Sequence, residues 1–342
     1  MDYIREFDIQ LEKEYYYAGG NGRWKRHFGN CRELQVEKVI LRGKAHAEWK
    51  VLLSGDRRTV KDDQCFVDER QIIWGEKNLE TTIPILPRGA HKFPFRFCLP
   101  ESILPCSFES KQCYIRYFFQ SNHRYTVCKP PQGIKYFTVI GPHIDCMEEQ
   151  YLKPIVLENR KSTCCWCCKK GTIYLRCVVA RSAYVCKESI KLKVTIDNQG
   201  DEEVKLRVKL EQCCEFFIDR GVLGVSKDLK HLVFEYGGCH VKPHTRSKWD
   251  SSNCLVIPPM PTTLVHICRL VQIYYLLTVY LDTDKEYDIL QIMHVLSLKV
   301  GCTWLRSFFL GQVYDGNEHH LREPVILYKP MYVTVDKSED NK

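Results

Sequence analysis

Phe93-Pro94-Phe95-Arg96-Phe97-Cys98-Leu99-Pro100 decides the fold class. Side chains of a strand leave on alternate faces, so Phe93, Phe95 and Phe97 share one face and read as core residues of a strand. A helix would spread residues at this spacing around its circumference. After a turn-like link the run Cys113-Tyr114-Ile115-Arg116-Tyr117-Phe118-Phe119 continues the extended reading. All three phenylalanines are expected to point into one core.

The same period recurs outward from this stretch. Residues 36–45 alternate, as does Ser189-Ile190-Lys191-Leu192-Lys193-Val194-Thr195-Ile196, with Ile190, Leu192, Val194 and Ile196 inward. Residues 203–210 repeat it through Val204, Leu206, Val208 and Leu210. Turn signals at Pro87-Arg88-Gly89, Asp197-Asn198-Gln199-Gly200 and Gly237-Gly238 separate the runs. Short alternating strands divided by such turns indicate an all-β protein of sandwiches or barrels. A length of 342 residues suits two domains. Alternation weakens over 145–169, where Asp145-Cys146-Met147-Glu148-Glu149, Pro154 and a cysteine cluster occur, so the domain junction is expected there.

Composition narrows the function classes. The formal charge is +8, but basic and acidic residues intermingle, without the basic block that grips nucleic acid. A solvated surface, or attraction to anionic membranes or phosphorylated partners, fits that balance. The start, Met1-Asp2-Tyr3-Ile4-Arg5-Glu6, lacks the pattern of a secretory signal. The 19 cysteines therefore read as reduced cytosolic thiols, with Cys98 and Cys113 expected as small core residues. The apolar run 270–281 is bounded by Arg269 and Asp282 and is too short to span a bilayer.

No catalytic, cofactor-binding or metal residue is expected. Cys164, Cys165, Cys167 and Cys168 could supply half of a zinc site, but adjacent cysteines rarely ligate one ion together. The same cluster, with Trp166, Lys169 and Lys170, would suit S-acylation at a membrane; the plainer reading is a buried strand edge. Cys239-His240 with His244 and Cys254 is a looser set that reads as a hairpin loop beside Gly237-Gly238. Gly19, Gly20 and Gly22 lie in a turn without the strand–loop–helix setting of a phosphate cradle. Asp145 to Glu149 reads as solvated linker. The stretch 323–335 is apolar enough to add a strand to an exposed sheet edge, in this chain or a partner; the alternative is a disordered end.

These blocks, taken in order, resemble a known family. Phe93 to Pro100, then Leu104-Pro105-Cys106-Ser107-Phe108-Glu109, then Tyr114-Ile115-Arg116-Tyr117 resemble the strand series of arrestin N-domains. Lys135-Tyr136-Phe137-Thr138-Val139-Ile140 is similar to the strand closing that domain. Cys164-Cys165-Trp166-Cys167-Cys168 followed by Gly171, and then residues 184–198, resemble the opening of the alpha-arrestin C-domain. Ile257-Pro258-Pro259-Met260-Pro261, Cys268-Arg269-Leu270-Val271 and Ile273-Tyr274-Tyr275-Leu276 complete the series. The chain is thus similar over roughly residues 1–302 to the alpha-arrestins, the group that includes thioredoxin-interacting protein.

The resemblance implies two immunoglobulin-like β-sandwiches in tandem: an N-terminal one over 1–150, a junction over 151–170, a C-terminal one over 171–302 and a tail over 303–342. It implies a non-enzymatic cytoplasmic adaptor, peripheral at the plasma membrane or endosomes. Expected partners are membrane-protein cargo, other arrestins and ubiquitin-sorting machinery, with neither nucleic acid nor cofactor. Alternatives are a thiol-dependent partner of a redox protein such as thioredoxin, or a ligase-independent endosomal scaffold. Two departures qualify this. The family's Pro-Pro-x-Tyr ligase motif is absent: Pro130-Pro131-Gln132-Gly133 and Pro258-Pro259-Met260-Pro261 lack the tyrosine, so WW-domain binding is not expected. Residues 21–30, where an apolar strand should follow Tyr16-Tyr17-Ala18-Gly19-Gly20, are polar and glycine-rich and read as a loop or a defective strand. The cysteine that thioredoxin-interacting protein carries three residues before a tryptophan corresponds to Arg246, if Trp249 is that tryptophan.

Overall fold

A computed structural model describes residues 6–11, 15–17, 21–29, 36–53, 55–74, 91–100, 104–124, 134–140, 149–165, 168–219, 224–283, 290–298, 307–310 and 331–334. The fold is all-β. The first half supplies β1 (Glu6–Leu11), β2 (Tyr15–Tyr17), β3 (Asn21–Gly29), β4 (Val36–Leu53), β5 (Asp56–Trp74), β6 (His91–Cys98), β7 (Phe108–Glu109), β8 (Cys113–Arg124) and β9 (Ile134–Ile140). One sheet has the order β2-β9-β8-β4-β5, with β7 also paired to β8, and the other is β1-β3-β6.

The period-two pattern explains the core between these sheets. Val39, Leu41, Ala45 and Ala47 of β4 and Cys113, Ile115, Tyr117 and Phe119 of β8 are all buried. Gly43 is required beside Tyr117: a Cβ there would lie 2.5 Å from the phenol ring. Phe95 and Phe97 pack on Phe119 with ring centroids 5.5 and 5.7 Å away. Phe93 is only half-buried and lies 5.8 Å from the Trp74 ring, so the third phenylalanine of the row borders the core rather than filling it. Cys98, expected in the core, is exposed: it alternates with Phe97 onto the solvent face.

Residues 21–29 form a strand and not a loop. β3 pairs with β1 on one side and β6 on the other, its register setting Trp24 opposite both Leu11 and Phe95. Ladder bonds on both edges hold the backbone extended whatever the polarity of the side chains.

The second half begins with α1 (Glu149–Leu152) and continues through β10 (Ile155–Cys165), β11 (Cys168–Val179), β12 (Ala183–Tyr184), β13 (Leu192–Asn198), β14 (Val204–Ile218), β15 (Val225–Val241), β16 (Thr245–Asp250), β17 (Val271–Asp282) and β18 (Leu290–Leu298). Two sheets, β10-β11-β13-β16 and β12-β18-β17-β14-β15, form the second sandwich. Ile190, Leu192, Val194 and Ile196, with Val204, Leu206, Val208 and Leu210, line its core. The segment 151–170 is largely β10 and the start of β11. Its alternation is weak because β10 is an edge strand with Ile155 and Leu157 half-buried and Glu158 and Arg160 exposed.

Gly237-Gly238 is not a turn between strands. Both residues lie inside β15, where the register with β14 shifts between Lys205 and Arg207. Gly238 passes so close to β14 that a Cβ would sit 2.7 Å from the Leu206 side chain, a close approach that glycine permits in a bulge. Cys239 and His240 are therefore strand residues, not a hairpin loop. The strand reverses at residues 242–244, where His244 takes a positive φ of 57°.

The apolar run 270–281 is the central strand β17, and among the described residues no helix is long and apolar enough to cross a membrane. β19 (Ser307–Leu310) and β20 (Met331–Thr334) pair with each other, and β20 runs near β9. Pro87 to Gly89, Asp145 to Glu148, and most of 323–335 lie outside the described residues.

Candidate functional site at the seam between the sandwiches

Each sandwich carries a proline-rich loop tied down by a buried tyrosine. The Tyr117 hydroxyl on β8 donates to the Pro105 carbonyl at 2.8 Å. In the second sandwich the Tyr275 hydroxyl on β17 donates to the Pro261 carbonyl at 2.7 Å and accepts from Gln212 Nε2 at 2.9 Å. A buried hydroxyl needs a partner, and a carbonyl in an irregular loop needs a donor, so each bond satisfies both groups. The two loops meet: Thr262 Oγ1, one residue after Pro261, donates to Cys106 Sγ, one residue after Pro105, at 3.1 Å.

Beside this contact lies the charged centre of the seam. Asp62 sits on β5 opposite Ala47, at a position the strand's alternation turns inward, and is 0% exposed. An isolated carboxylate there would be very costly. Arg269, at the entrance to β17, supplies the counter-charge from the other sandwich. Its Nη1 donates to Asp62 Oδ2 at 2.5 Å and its Nη2 to Asp62 Oδ1 at 3.0 Å. Nη2 also donates to the Asp63 carbonyl at 2.7 Å, and the Arg269 backbone N–H donates to Gln64 Oε1 at 2.8 Å. Cys268 Sγ contacts the same Gln64 oxygen at 3.5 Å. This is a planar, bidentate fork of the kind that guanidinium forms with carboxylate. Bonding to Asp62 raises the Arg269 pKa above its ordinary range.

A second pair runs back into the first sandwich. Glu109 accepts from Arg116 Nε at 2.5 Å and from Nη2 at 3.0 Å, both side chains nearly inaccessible. Burial works against the Arg116 charge, but Glu109 outweighs it and keeps the pKa above its ordinary value. The guanidinium lies 3.8 Å from the centroid of Tyr114, whose ring is 5.2 Å from that of His46. His46 in turn bonds Asp63 at 2.8 Å, next to Asp62. The thiols around the seam are chemically quiet: burial pushes Cys106 and Cys268 up and Cys113 well up, so all three stay protonated at neutral pH. Asp62, Asp63 and Gln64 of the first sandwich pair with Arg269 of the second, which makes the seam an electrostatic contact between the sandwiches.

Asp62 attracts no notice in the sequence, and Arg269 enters only as the boundary of an apolar run and as a member of the family-like block Cys268-Arg269-Leu270-Val271. The available signal is that Asp62 and Gln64 occupy inward positions of a strand, where a carboxylate demands a distant partner. Of the metal sets weighed from sequence, that of Cys239, His240, His244 and Cys254 is not assembled: among the described residues no cluster of three or more histidine, cysteine or acidic side chains could hold an ion. Cys239 is half-buried and His240 is exposed, 4.0 Å from Glu203. The side chains of Cys164, Cys165, Cys167 and Cys168 lie outside the described residues. Arg246 on β16 stands opposite Asp197, and Trp249 packs against Tyr236 with ring centroids 5.8 Å apart. The second diproline belongs to the fold: Ile257 and Met260 on either side of it are buried.

Comparison with known proteins adds the family. The chain matches the model of the arrestin (or S-antigen) N-terminal domain over residues 9–145 and that of the arrestin (or S-antigen) C-terminal domain over residues 169–300. It is 27% identical to human (Homo sapiens) arrestin domain-containing protein 4 over 200 residues, which cover 58% of this chain and 46% of that protein. It is 25% identical to human arrestin domain-containing protein 1 over 202 residues, covering 58% and 45%. Arrestin domain-containing protein 17 of Caenorhabditis elegans is 24% identical over 308 residues, covering 84% and 70%. The chain spans about half the length of the two human relatives it matches.

Proposed function

The chain belongs to the alpha-arrestin family, and on that premise we propose that it is a non-enzymatic adaptor that binds membrane-protein cargo and trafficking machinery in protein transport or endocytic sorting. The observation that carries this reading is the seam. Asp62 and Arg269 join two sandwiches through a charge pair, so their sheet faces and edges act as one surface. Affinity then comes from extended surfaces and strand edges, as in β-augmentation, and not from a reacting group. The place of action is the cytoplasmic side of the plasma membrane or endosomes.

Direct recruitment of a WW-domain ligase is not part of the proposal. WW grooves read an extended diproline together with a tyrosine in its own pocket. Pro258 and Pro259 are held between buried residues, and Pro130-Pro131 is followed by Gln132-Gly133. Ubiquitin-dependent sorting would instead run through a second arrestin or through cargo already marked. If Trp249 corresponds to the tryptophan of thioredoxin-interacting protein, Arg246 occupies the position of that protein's cysteine, which weakens the thiol-partner reading.

The test is affinity purification of the full chain from cells after amine-directed crosslinking, with and without reductant. Transmembrane proteins that co-purify under both conditions support the adaptor reading. Partners lost on reduction would replace it with the thiol reading.

A further inference from the structure

β15 is the longest edge strand of the second sandwich. β14 pairs with it from Val225 to Val241, and among the described residues no strand pairs with its other side. An open edge is a row of N–H and C=O groups that can template a further strand. The other edges are engaged or short. Along β5 the Asp63 carbonyl accepts from Arg269 at 2.7 Å. On β10 the Asn159 Nδ2 donates to the Gln291 carbonyl of β18 at 2.8 Å. β16 has six residues and β12 two. On β15 the register with β14 is regular from Val225 to Leu232, and Val233 is then left out as a bulge before Phe234.

The charges on this regular stretch lack counterparts within the chain. Ser226, Asp228, Lys230 and Leu232 share its exposed outer face. Asp228 stands opposite Glu215 of β14, acid against acid, and Lys230 stands opposite Cys213. Like charges directly opposite destabilise a strand pair. Among the described residues neither Asp228 nor Lys230 forms an ion pair. Leu232, on the same face, is 54% exposed. Two copies of this strand, set antiparallel about a two-fold axis through Leu229, supply what is missing. Asp228 of each copy then faces Lys230 of the other, and Ser226 faces Leu232. On the inner face Leu229, which already packs against the core, meets its own copy, and Lys227 faces His231. Every other two-fold centre that keeps the faces matched sets Lys227, Asp228 or Lys230 against itself or shortens the ladder.

We propose that β15 pairs with β15 of a second copy of this chain, joining two five-stranded sheets edge to edge. The interface is isologous, so each contact occurs twice. From Ser226 to Leu232 the ladder is about 23 Å long, at about 3.3 Å per residue. The bulge at Val233 bends the strand and ends the pairing. A contact of that size belongs to the small, transient class, so the dimer forms reversibly as concentration rises. The two Asp228–Lys230 pairs fix the register and select a second copy over a strand of other charge pattern. No cargo takes part, so the pairing stands apart from the adaptor reading.

The test is sedimentation velocity of the full chain under reductant, from low micromolar to several hundred micromolar. The parent is expected to pass reversibly from monomer to dimer. Asp228→Lys and Lys230→Asp each turn both charge pairs across the two-fold axis from attractive to repulsive, so each should weaken self-association about tenfold or more. Mixed together, the two variants should regain the parent's association, because one then presents two bases on the outer face and the other two acids. Misfolded variants could not restore each other in this way. Should either variant fail to fold, hydrogen exchange of the parent decides: the backbone amides of residues 226–232 gain protection as concentration rises. A parent that stays monomeric throughout, with those amides unchanged, overturns the proposal. So does a dimer that neither substitution weakens, or one that mixing the variants does not restore. If the parent is monomeric and Lys230→Asp loses crosslinked transmembrane proteins, the edge takes a cargo strand in place of a second copy.

Discussion

Arg269→Ala strips the seam of its cation. Three side-chain hydrogen bonds disappear, two to Asp62 and one to the Asp63 carbonyl, and the Asp62 carboxylate remains where its exposure is 0%. Breaking an ion pair buried at both ends costs about 3–5 kcal/mol. The Arg269 side chain is 43% exposed, so water already screens its end of the pair and the lower bound applies. We expect a loss of about 3 kcal/mol, a roughly 150-fold fall in the folded-to-unfolded ratio. The assay is urea unfolding of the full chain, followed by tryptophan fluorescence and far-ultraviolet dichroism together. The parent should unfold with coincident transitions, and Arg269→Ala should separate them as one sandwich lets go of the other. Asp62→Asn should cost less, because an amide at the same place carries no charge to strand. The double variant should lose about 1–2 kcal/mol less than the sum of the singles. Strict additivity, or coincident transitions at an unchanged midpoint in Arg269→Ala, would refute this contact.

Four further outcomes follow from the geometry. Tyr117→Phe and Tyr275→Phe should each cost about 1–3 kcal/mol by leaving a buried loop carbonyl without its donor, as chemical denaturation of each variant would reveal. Phe95→Ala should cost about 3–5 kcal/mol, while Phe93→Ala, at a half-buried position, should cost clearly less; equal losses in thermal melts would mean the register is wrong. At pH 8 the exposed Cys65, Cys98 and Cys254 should react fast with a disulfide reagent, whereas Cys106, Cys113, Cys177 and Cys186 should react only on unfolding, because burial raises their pKa values and keeps them protonated; peptide mapping after a timed quench distinguishes the two groups. Calorimetry with isolated WW domains should show no heat beyond that of a variant with Pro130→Ala and Pro131→Ala; micromolar binding abolished by that substitution would restore direct ligase recruitment.

Much of the fold was legible because its strands bury one face each. Ile190 to Ile196 and Val204 to Leu210 alternate without a break, and the inward residues are the buried ones. β3 was not legible, since its stability comes from being paired on both edges and its own sequence carries little sign of that. Gly237-Gly238 misled for a related reason: the same lack of side chains that suits a turn also suits a bulge pressed against Leu206. The seam was the least legible part. Asp62 and Arg269 are 207 residues apart, and a long-range ion pair leaves no local pattern beyond one acid at an inward position. The tyrosine-to-proline ties were half visible, as the loops and tyrosines stood out in the family-like blocks while their bonding did not.

Cell-surface biotinylation with quantitative mass spectrometry, in cells with and without the full chain, tests the adaptor claim most directly. The account predicts that a defined set of transmembrane proteins changes surface abundance, that the same proteins crosslink to the chain in the presence of reductant, and that Arg269→Ala weakens both effects. An unchanged surface proteome, with partners held only through disulfides, would contradict it.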